Sequence, residues 1–466
     1  MQHDSIYPVS PGTETSRPVI LRAHDARYNE ARRVWNGAFD RYPAEVHLCR
    51  STEQVAWSVC SARQRGLALA VRAGGHSPAG FSALDDGVVI DVRGLQKLAI
   101  DPVRRLATVG AGLIWRQFDA AAQEYGLACT GGAFSTVGVA GFTLGGGVGQ
   151  LLRSCGLGCD NLLSAVVVTA DGEIRQASPD ADAELYWALR GGAGNFGVVT
   201  ELTYRLHPVR EVTAGMLVYP LTEAVEVIHA LRERTAVVPD ALTWHIVFAT
   251  APLEGGPFPE ALRGQPVILI QPAFFGPREE ADIWLRLVRS IGRPRVDLVV
   301  PITYVALQQG ADATAPAGMK WDMRAEWLQA IDDATIATIV AAMEQTTSPL
   351  NQVVFQLVGG ALARTPLAET PFSFRHATHF IEIISGTFPD DPDFERHQIW
   401  GQQLWQQITR WSAGGGCLNH LGIGEGPERV KAAFRAEAWK RLVALKRRYD
   451  PENVFRSTAP ISPDGC

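Results

Sequence analysis

The sequence predicts an α+β chain of more than one domain, and three observations carry that expectation. The chain has 466 residues, whereas a domain commonly takes about 100–200. Between residues 40 and 210, short β-branched apolar runs alternate with helical periodicities and are punctuated by glycine. After His207-Pro208 the composition shifts, and residues 210–410 alternate strand-like runs with amphipathic helical stretches. Hydrophobic residues make up 46% and charged residues 20%, values of an ordinary globular protein.

The elements follow in order. Residues 1–18 read as a loose polar arm without the basic and then apolar segments of a signal peptide. Ser51-Thr52-Glu53-Gln54 reads as a capping box, with Ser51 as N-cap and Gln54 reaching back. The helix it opens should stop at Gly66, where a positive φ costs little. Leu67–Arg72, Gly87–Val92 and Leu106–Gly110 read as strands. Ile114, Phe118, Ala121 and Tyr125 fall at helical spacing, closed by Gly126. Leu162–Thr169 is a strand that Asp171-Gly172 turns into Glu173–Gln176. Ala181–Leu189 reads as helix and Val198–Leu206 as strand. Ala251–Pro266, rich in Pro and Gly, reads as a surface loop. Residues 427–457 are expected to hold one long helix that opens at Pro427 and stops before Asp450-Pro451. There is no tandem repeat.

Charge and cysteine content exclude several functions. Lys and Arg number 43 against 49 Asp and Glu, a net charge of -6. That gives no electrostatic reason to expect nucleic acid or an anionic membrane as partner. No apolar stretch approaches the ~18 residues that a spanning helix needs. The seven cysteines are scattered and form no CxxC, so free thiols in a reducing cytoplasm are expected rather than disulfides or zinc. His376 and His379 are three apart, as on one helix face or a strand edge, but no third ligand accompanies them, so no metal site is assigned.

Glycine is the unusual component, with 45 residues that cluster. One segment is Arg72–Gly80 (RAGGHSPAG), the next Gly138–Gly149 (GVAGFTLGGGVG), the last Arg190–Val199 (RGGAGNFGVV). Glycine lets backbone N–H groups approach a ligand where a Cβ would collide, and successive N–H groups form an anion-binding nest. Tight turns alone explain any one segment less strangely than all of them together. A large anionic cofactor bearing a pyrophosphate is the reading that covers them. Residues 74–80 lack GxGxxG, and Gly141–Gly149 lacks a GK[ST] ending, so neither a Rossmann NAD site nor an ATP loop is favoured.

Leu69–Gly80, Val137–Gly149, Gly156–Asn161, Glu184–Val199 and Tyr449–Arg456 together resemble the berberine bridge enzyme-like flavoproteins of the vanillyl-alcohol oxidase/p-cresol methylhydroxylase superfamily. The resemblance covers residues 40–210 and 415–462. The middle is looser, although Pro301–Gln308 and Lys320-Trp321 resemble segments around the family's substrate cavity. It implies an α+β fold: a two-subdomain, PCMH-type FAD-binding domain and a substrate domain whose antiparallel sheet is covered by helices on one face. The expected division is an N-terminal segment 1–39, an FAD-binding domain 40–210, a substrate domain 211–414 and a returning C-terminal segment 415–466.

By the same resemblance, His76 is the covalent anchor of FAD, bonding the flavin 8-methyl carbon. Ala73, Gly74, Gly75 and Ser77 should contact the pyrophosphate. Val137, Gly138, Gly141, Gly145 and Gly147 should lie along the cofactor, with Gly197 and Val198 near its adenine or ribitol end and Asp160 and Asn161 adding polar contacts. Many relatives carry a cysteinyl second link just before T-V-G; here Phe134 stands in that place, and Cys129 is five residues before it. A single link through His76 is therefore expected. Gly416–His420 resembles the family's Y-x-N-Y region beside the flavin, which makes Asn419 and His420 the candidates for catalysis. His420 stands where relatives have an aromatic hydroxyl; it is either a general base titrating near neutrality or a structural histidine. Ser457–Ile461 departs from the asparagine-rich tail of relatives.

The implied activity is an FAD-dependent oxidase. It would remove hydride from a carbon bearing N or O in a small aromatic or natural-product substrate and be reoxidised by O2 to give H2O2. A dehydrogenase using another acceptor, and a flavoprotein that sequesters a small aromatic compound, are the alternatives. The tryptophans and an aliphatic lining at Leu298–Val305 point to an aromatic or polycyclic substrate. A monomer or homodimer is compatible with all of these.

Overall fold

A computed structural model describes residues 17–465. The expected loose arm at 1–18 lies almost wholly outside the described residues, as does Cys466. The first layer is a small sheet of β1 (Val19–Leu21), β2 (Glu45–Leu48), β3 (Leu69–Arg72) and β4 (Val88–Asp91), in the order β1-β2-β4-β3. β4 runs parallel to both β2 and β3. Parallel strands need a crossover, and the helix Thr52–Gln64 supplies it. Ser51 caps that helix by accepting the N–H of Gln54 at 3.4 Å. Gln54 Oε1 accepts the N–H of Arg50 at 2.8 Å, one residue before the cap. Gly66 ends the run at φ 66°.

Next come β5 (Leu98–Asp101), β6 (Leu106–Gly110), β7 (Leu127–Ala128), β8 (Leu162–Val168), β9 (Ile174–Ala177), β10 (Val198–Arg205) and β11 (His207–Pro208). Five of them form an antiparallel sheet ordered β5-β6-β10-β8-β9, while β7 pairs with β11. The turn from β8 to β9 is built as its sequence demands. Asp171 Oδ1 accepts from Thr169 Oγ1 and from the Glu173 N–H, and Gly172 takes φ 85°.

The largest sheet has nine strands: β12 (Val212–Ala214), β13 (Leu217–Pro220), β14 (Leu242–Thr250), β15 (Pro266–Phe275), β16 (Val296–Asp297), β17 (Val300–Ile302), β18 (Lys320–Leu328), β19 (Gln352–Leu357) and β20 (His379–Thr387). Its central order is β15-β14-β19-β20-β18, and these neighbours are antiparallel. Alternation gives the sheet two faces. Trp244, Ile246, Phe248, Phe355, Ile381 and Ile383 are buried against helices Ala224–Arg234, Arg278–Arg289, Asp333–Glu344 and Phe394–Ile408. The residues between them face the two smaller sheets. This is the α+β arrangement expected, with helices on one side of the antiparallel sheet.

The C-terminal segment differs from its expectation. Residues 427–457 hold two helices, Pro427–Ala432 and Ala436–Tyr449. The break sits at Arg435, whose backbone is extended at ψ 154° and whose N–H goes to Ser373 Oγ at 2.8 Å. A tertiary acceptor thus takes a donor that a continuous helix would have used. Leu442, Val443, Tyr449, Phe455 and Ile461 then join the core of the two smaller sheets. Fully buried Lys446 Nζ donates to Asp450 Oδ2 (2.7 Å), Asn195 O and Phe455 O (both 3.0 Å). Asp450 also accepts the N–H groups of Val454 and Phe455. Among the described residues, no helix is long and apolar enough to cross a membrane.

This pair generates a stability prediction. Asp450→Ala leaves the Lys446 ammonium buried without its counter-charge and should cost about 3–5 kcal/mol. Denaturant titration should show the loss, and adding Lys446→Met should recover part of it.

Candidate functional site

A cavity of about 1310 Å3 lies between the glycine segments and the inner face of the large sheet. Its glycine-lined wall is fixed by backbone packing. A Cβ on Gly74 would fall 2.2 Å from Gly138 N, and one on Gly138 would fall 2.3 Å from Gly74 N. The first two glycine segments therefore press backbone to backbone, a contact that no other residue permits. Asn419 ties in the second segment. Its Nδ2 donates to Gly141 O (3.1 Å) and its Oδ1 accepts the Gly147 N–H (3.2 Å). A Cβ on Gly145 would collide with that amide at 2.4 Å. Asn419 lines the cavity, but its amide serves to position the glycine segment.

Two further observations bear on what the wall can hold. The N–H groups of Gly74, Gly75, His76 and Ser77 donate to no acceptor among the described residues. A Cβ on Gly141 would meet nothing within 4 Å, although the residue lines the cavity. Packing does not account for glycine there; space for a ligand does. Among the described residues lining the cavity there is no Lys or Arg, so an anionic group would be held by backbone N–H groups, as in a nest. These features fit a long pyrophosphate-bearing cofactor.

The residues expected to hold that cofactor divide as follows. Ala73, Gly74, Gly75, His76, Ser77, Val137, Gly138, Gly141, Gly145, Gly197 and Val198 all line the cavity. Gly147, Asp160 and Asn161 are not among its lining residues. Gly147 packs against Phe142, with a Cβ only 2.6 Å from that ring. Asp160 holds the fully buried Arg375 through two hydrogen bonds of 2.6 and 2.7 Å. Asn161 donates to Cys155 O and Leu157 O, and its Oδ1 meets His207 Nε2 at 2.6 Å. Their polar atoms are engaged within the fold.

His76 is half-buried, and its desolvation lowers its pKa to about 4, with Asp312 opposing. The imidazole is thus neutral at physiological pH. Its ring stacks on Trp35 at 4.9 Å and 18°, and Trp35 stacks in turn on Trp321 at 5.9 Å and 4°. Trp35 is held by its own N–H to Gly75 O and by its indole N–H to Ala315 O. The adjacent Asn36, fully buried, bonds Pro78 O on one side and both the N–H and C=O of Trp321 on the other. The short segment Trp35–Gly37 thus joins the glycine loop to the large sheet. Sequence reasoning assigned it to the N-terminal segment and missed it; the signal was an aromatic–Asn–Gly run with no place in a regular element.

Phe134 lines the cavity near Trp35. Cys129 is fully buried outside the lining, and burial pushes its thiol well above the usual range. His376 is exposed and His379 buried, so the two do not share a face. No group of three His, Cys, Asp or Glu able to hold a metal occurs among the described residues. Leu298 and Val300 are 41% and 50% exposed. Of the expected aliphatic lining at 298–305, only Ile302 reaches the cavity. Part of the Ala251–Pro266 loop, including Leu253 and Phe258, does line it.

His420 sits in an ion pair at the cavity wall. Its Nε2 lies 3.0 Å from Glu382 Oε1, and its Nδ1 lies 3.3 Å from Cys417 Sγ. Burial alone would lower the His420 pKa, but the Glu382 carboxylate outweighs it and raises the pKa well above the usual value. Burial would likewise raise Glu382, but His420 holds it below the ordinary range. The pair is an imidazolium–carboxylate at neutral pH, not a free base titrating near neutrality. Glu382 was not visible as a site residue because its role depends on pairing across β18, β20 and the 417–420 segment.

Comparisons with known proteins agree with this geometry. Residues 43–178 match the family profile described as FAD binding domain, and residues 417–462 match that of berberine and berberine-like proteins. The chain is 28% identical to (R)-6-hydroxynicotine oxidase of Paenarthrobacter nicotinovorans, covering 96% of this chain and 97% of that protein. It is 27% identical to an FAD-linked oxidoreductase of Dictyostelium discoideum, over 97% of this chain and 96% of that one. The crystal structure of 6-hydroxy-D-nicotine oxidase from Arthrobacter nicotinovorans superposes with a TM-score of 0.86 at 26% identity, covering 96% of this chain and 98% of that one. The glycine-walled cavity, the domain matches and the shared fold together give the chain an FAD-binding domain and a berberine-like domain, and make it homologous to FAD-linked oxidoreductases of the berberine bridge enzyme-like kind.

Proposed function

We propose that the protein is an oxidase that holds FAD through a single covalent bond at His76. It would remove hydride from a carbon bearing N or O in a small, largely apolar substrate and return the electrons to O2 as H2O2. The observation that carries this reading is the half-buried His76, kept neutral by desolvation, in a loop whose N–H groups at residues 74–77 find no acceptor among the described residues. Only a neutral imidazole has the lone pair that attachment needs. Phe134 stands where a cysteinyl link would come from, and Cys129 does not reach the cavity, so one link is the reading supported.

Bound FAD would supply hydride acceptance and reoxidation by oxygen. The chain's own part is to bind, orient and move a proton. The inner face of the large sheet presents Val247, Val354, Leu269 and Ile384 to the cavity, a surface that excludes water from the substrate. Glu382 is the group suited to take the heteroatom proton, because it is ionised and lines the cavity. His420 keeps it ionised and fixes its orientation through the 3.0 Å contact.

Acid precipitation followed by peptide mass analysis tests the attachment. Flavin should stay with the pellet on the peptide containing His76, and His76→Ala should release it to the supernatant. Oxygen consumption with stoichiometric H2O2 during turnover tests the oxidase assignment; turnover that needs another acceptor overturns it.

The proton assignment makes a separate prediction. Glu382→Gln should lower kcat by about 10²–10⁴-fold with flavin content unchanged. In the native protein, activity should fall on acidification as Glu382 takes up its proton. Removing the imidazolium in His420→Ala frees burial to raise the Glu382 pKa, so the acid limb of kcat/KM should move to higher pH. An unmoved limb would show that the pair does not titrate as a unit.

A further inference from the structure

Trp35 is held more firmly than any step of the proposed reaction requires. Its main chain donates to Gly75 O at 3.1 Å and accepts the N–H of Gly318 at 2.9 Å. Its indole N–H donates to Ala315 O at 2.9 Å. The indole also stacks on Trp321, with the two ring planes 4° apart. The next two residues extend the grip. Asn36 bonds Pro78 O and both main-chain groups of Trp321, and the Gly37 N–H donates to Met319 O at 2.8 Å. A Cβ on Gly37 would fall 2.0 Å from Gly318 O, so the two stretches of chain touch there. An indole tied in this way is a fixed plane at the cavity wall.

His76 has no such ties of its own. Neither ring nitrogen has a hydrogen-bond partner among the described residues. In a histidine the bond made by one nitrogen commonly sets the role of the other. Here the contact that orients the ring is its stack on Trp35, at 4.9 Å and 18°. A nitrogen lone pair lies in the plane of the imidazole, so a neighbour that fixes the plane limits the directions in which the lone pair can point. The indole also keeps water from the ring face it covers, and desolvation is what lowers the His76 pKa. Among the described residues, the charged group that acts on the ring is Asp312, whose carboxylate is itself engaged by Ser135 and Arg116.

We propose that Trp35 is the positioning residue for flavin attachment: its indole holds the His76 imidazole in one plane, with a ring nitrogen aimed at the flavin 8-methyl carbon. The inference rests on the covalent reading of His76. In the attachment a His76 nitrogen joins that carbon. One C–H proton of the methyl group and the imidazole N–H proton leave. The two electrons pass to the flavin ring, and O2 removes them as H2O2. Trp35 takes no part in the bond. It spares the nucleophile a search over ring orientations, which is how positioning accelerates a step between two held groups.

The test follows attachment itself rather than turnover. Acid-insoluble flavin is read by in-gel fluorescence at intervals after a short pulse of expression, beside total flavin, for the native protein and its variants. Attachment in Trp35→Leu should be about 10–100-fold slower, the cost of a misdirected attacking atom, with total flavin little changed. Trp35→Phe, which restores a plane, should attach at close to the native rate. Should Trp35→Leu fail to fold, Trp35→Met fills the volume without supplying a plane and carries the same expectation. A pH series separates positioning and shielding from mere packing. In purified Trp35→Leu still carrying acid-releasable FAD, attachment should accelerate from about pH 5 to 8, because His76 exposed on that face loses its proton near the ordinary value of about 6.5. In the native protein the pKa of about 4 puts that rise below this range. Native-rate attachment in Trp35→Leu, Trp35→Phe as slow as Trp35→Leu, a flat pH series in Trp35→Leu, or a folded variant that loses all flavin would each overturn the proposal. Flavin that acid releases from the native protein would instead defeat the covalent reading on which it rests.

Discussion

A backbone-to-backbone contact in the cavity wall joins Gly74 to Gly138, where even one added carbon on either residue would fall inside the neighbouring peptide. This constraint orders much of what surrounds it. It presses the loop after β3 against the start of helix Val139–Leu144, and so sets residues 74–77 into the cavity wall. It also places His76 under Trp35 and leaves Gly141 facing open space. Side chains elsewhere tune the wall, but the approach of two main chains defines it. Asn419 applies the same logic from the C-terminal segment by bonding the backbone at Gly141 and Gly147.

The opposite wall is organised by register. Antiparallel pairing with a period of two sends bulky apolar residues to the helices and alternate residues to the cavity. A slip of one residue in β14 would exchange His245 and Val247 for Trp244 and Ile246, filling the cavity with core side chains. The chemical state of the site also follows from this register. Glu382 and His245 are brought into one field, and the two histidines in that field end with opposite charge states: His420 protonated beside a carboxylate, His245 neutral through burial.

What the sequence discloses follows how local each feature is. The helix cap at Ser51, the Asp171-Gly172 turn and the glycine segments depend on neighbours a few residues away, and they were legible. The ion pair of Asp160 was not legible because its partner, Arg375, lies 215 residues further along. Its GLGCDN setting says nothing of that ion pair. His420 was legible as a site residue but not in its protonation state, which belongs to Glu382 as much as to itself. Trp35, Glu382 and His245 carried no local signature at all: a stacked ring, a cross-strand ion pair and a row of a sheet arise only when distant segments meet. The break at Arg435 belongs to the same class, since Ser373 supplies the acceptor that ends helical continuity.

The burial of Lys446 and the tail beyond it has a consequence for biosynthesis. Val55, near the start, and Ile461, near the end, belong to one hydrophobic core. That core cannot close until the chain has been made through residue 461. Contacts of such long sequence separation close slowly and expose apolar surface while they wait. The large sheet lies between the two contributing stretches and has its own core, so it can condense first and act as a tether. The FAD-binding half is thus packed shut by residues more than 400 positions apart, with the large sheet between them in sequence.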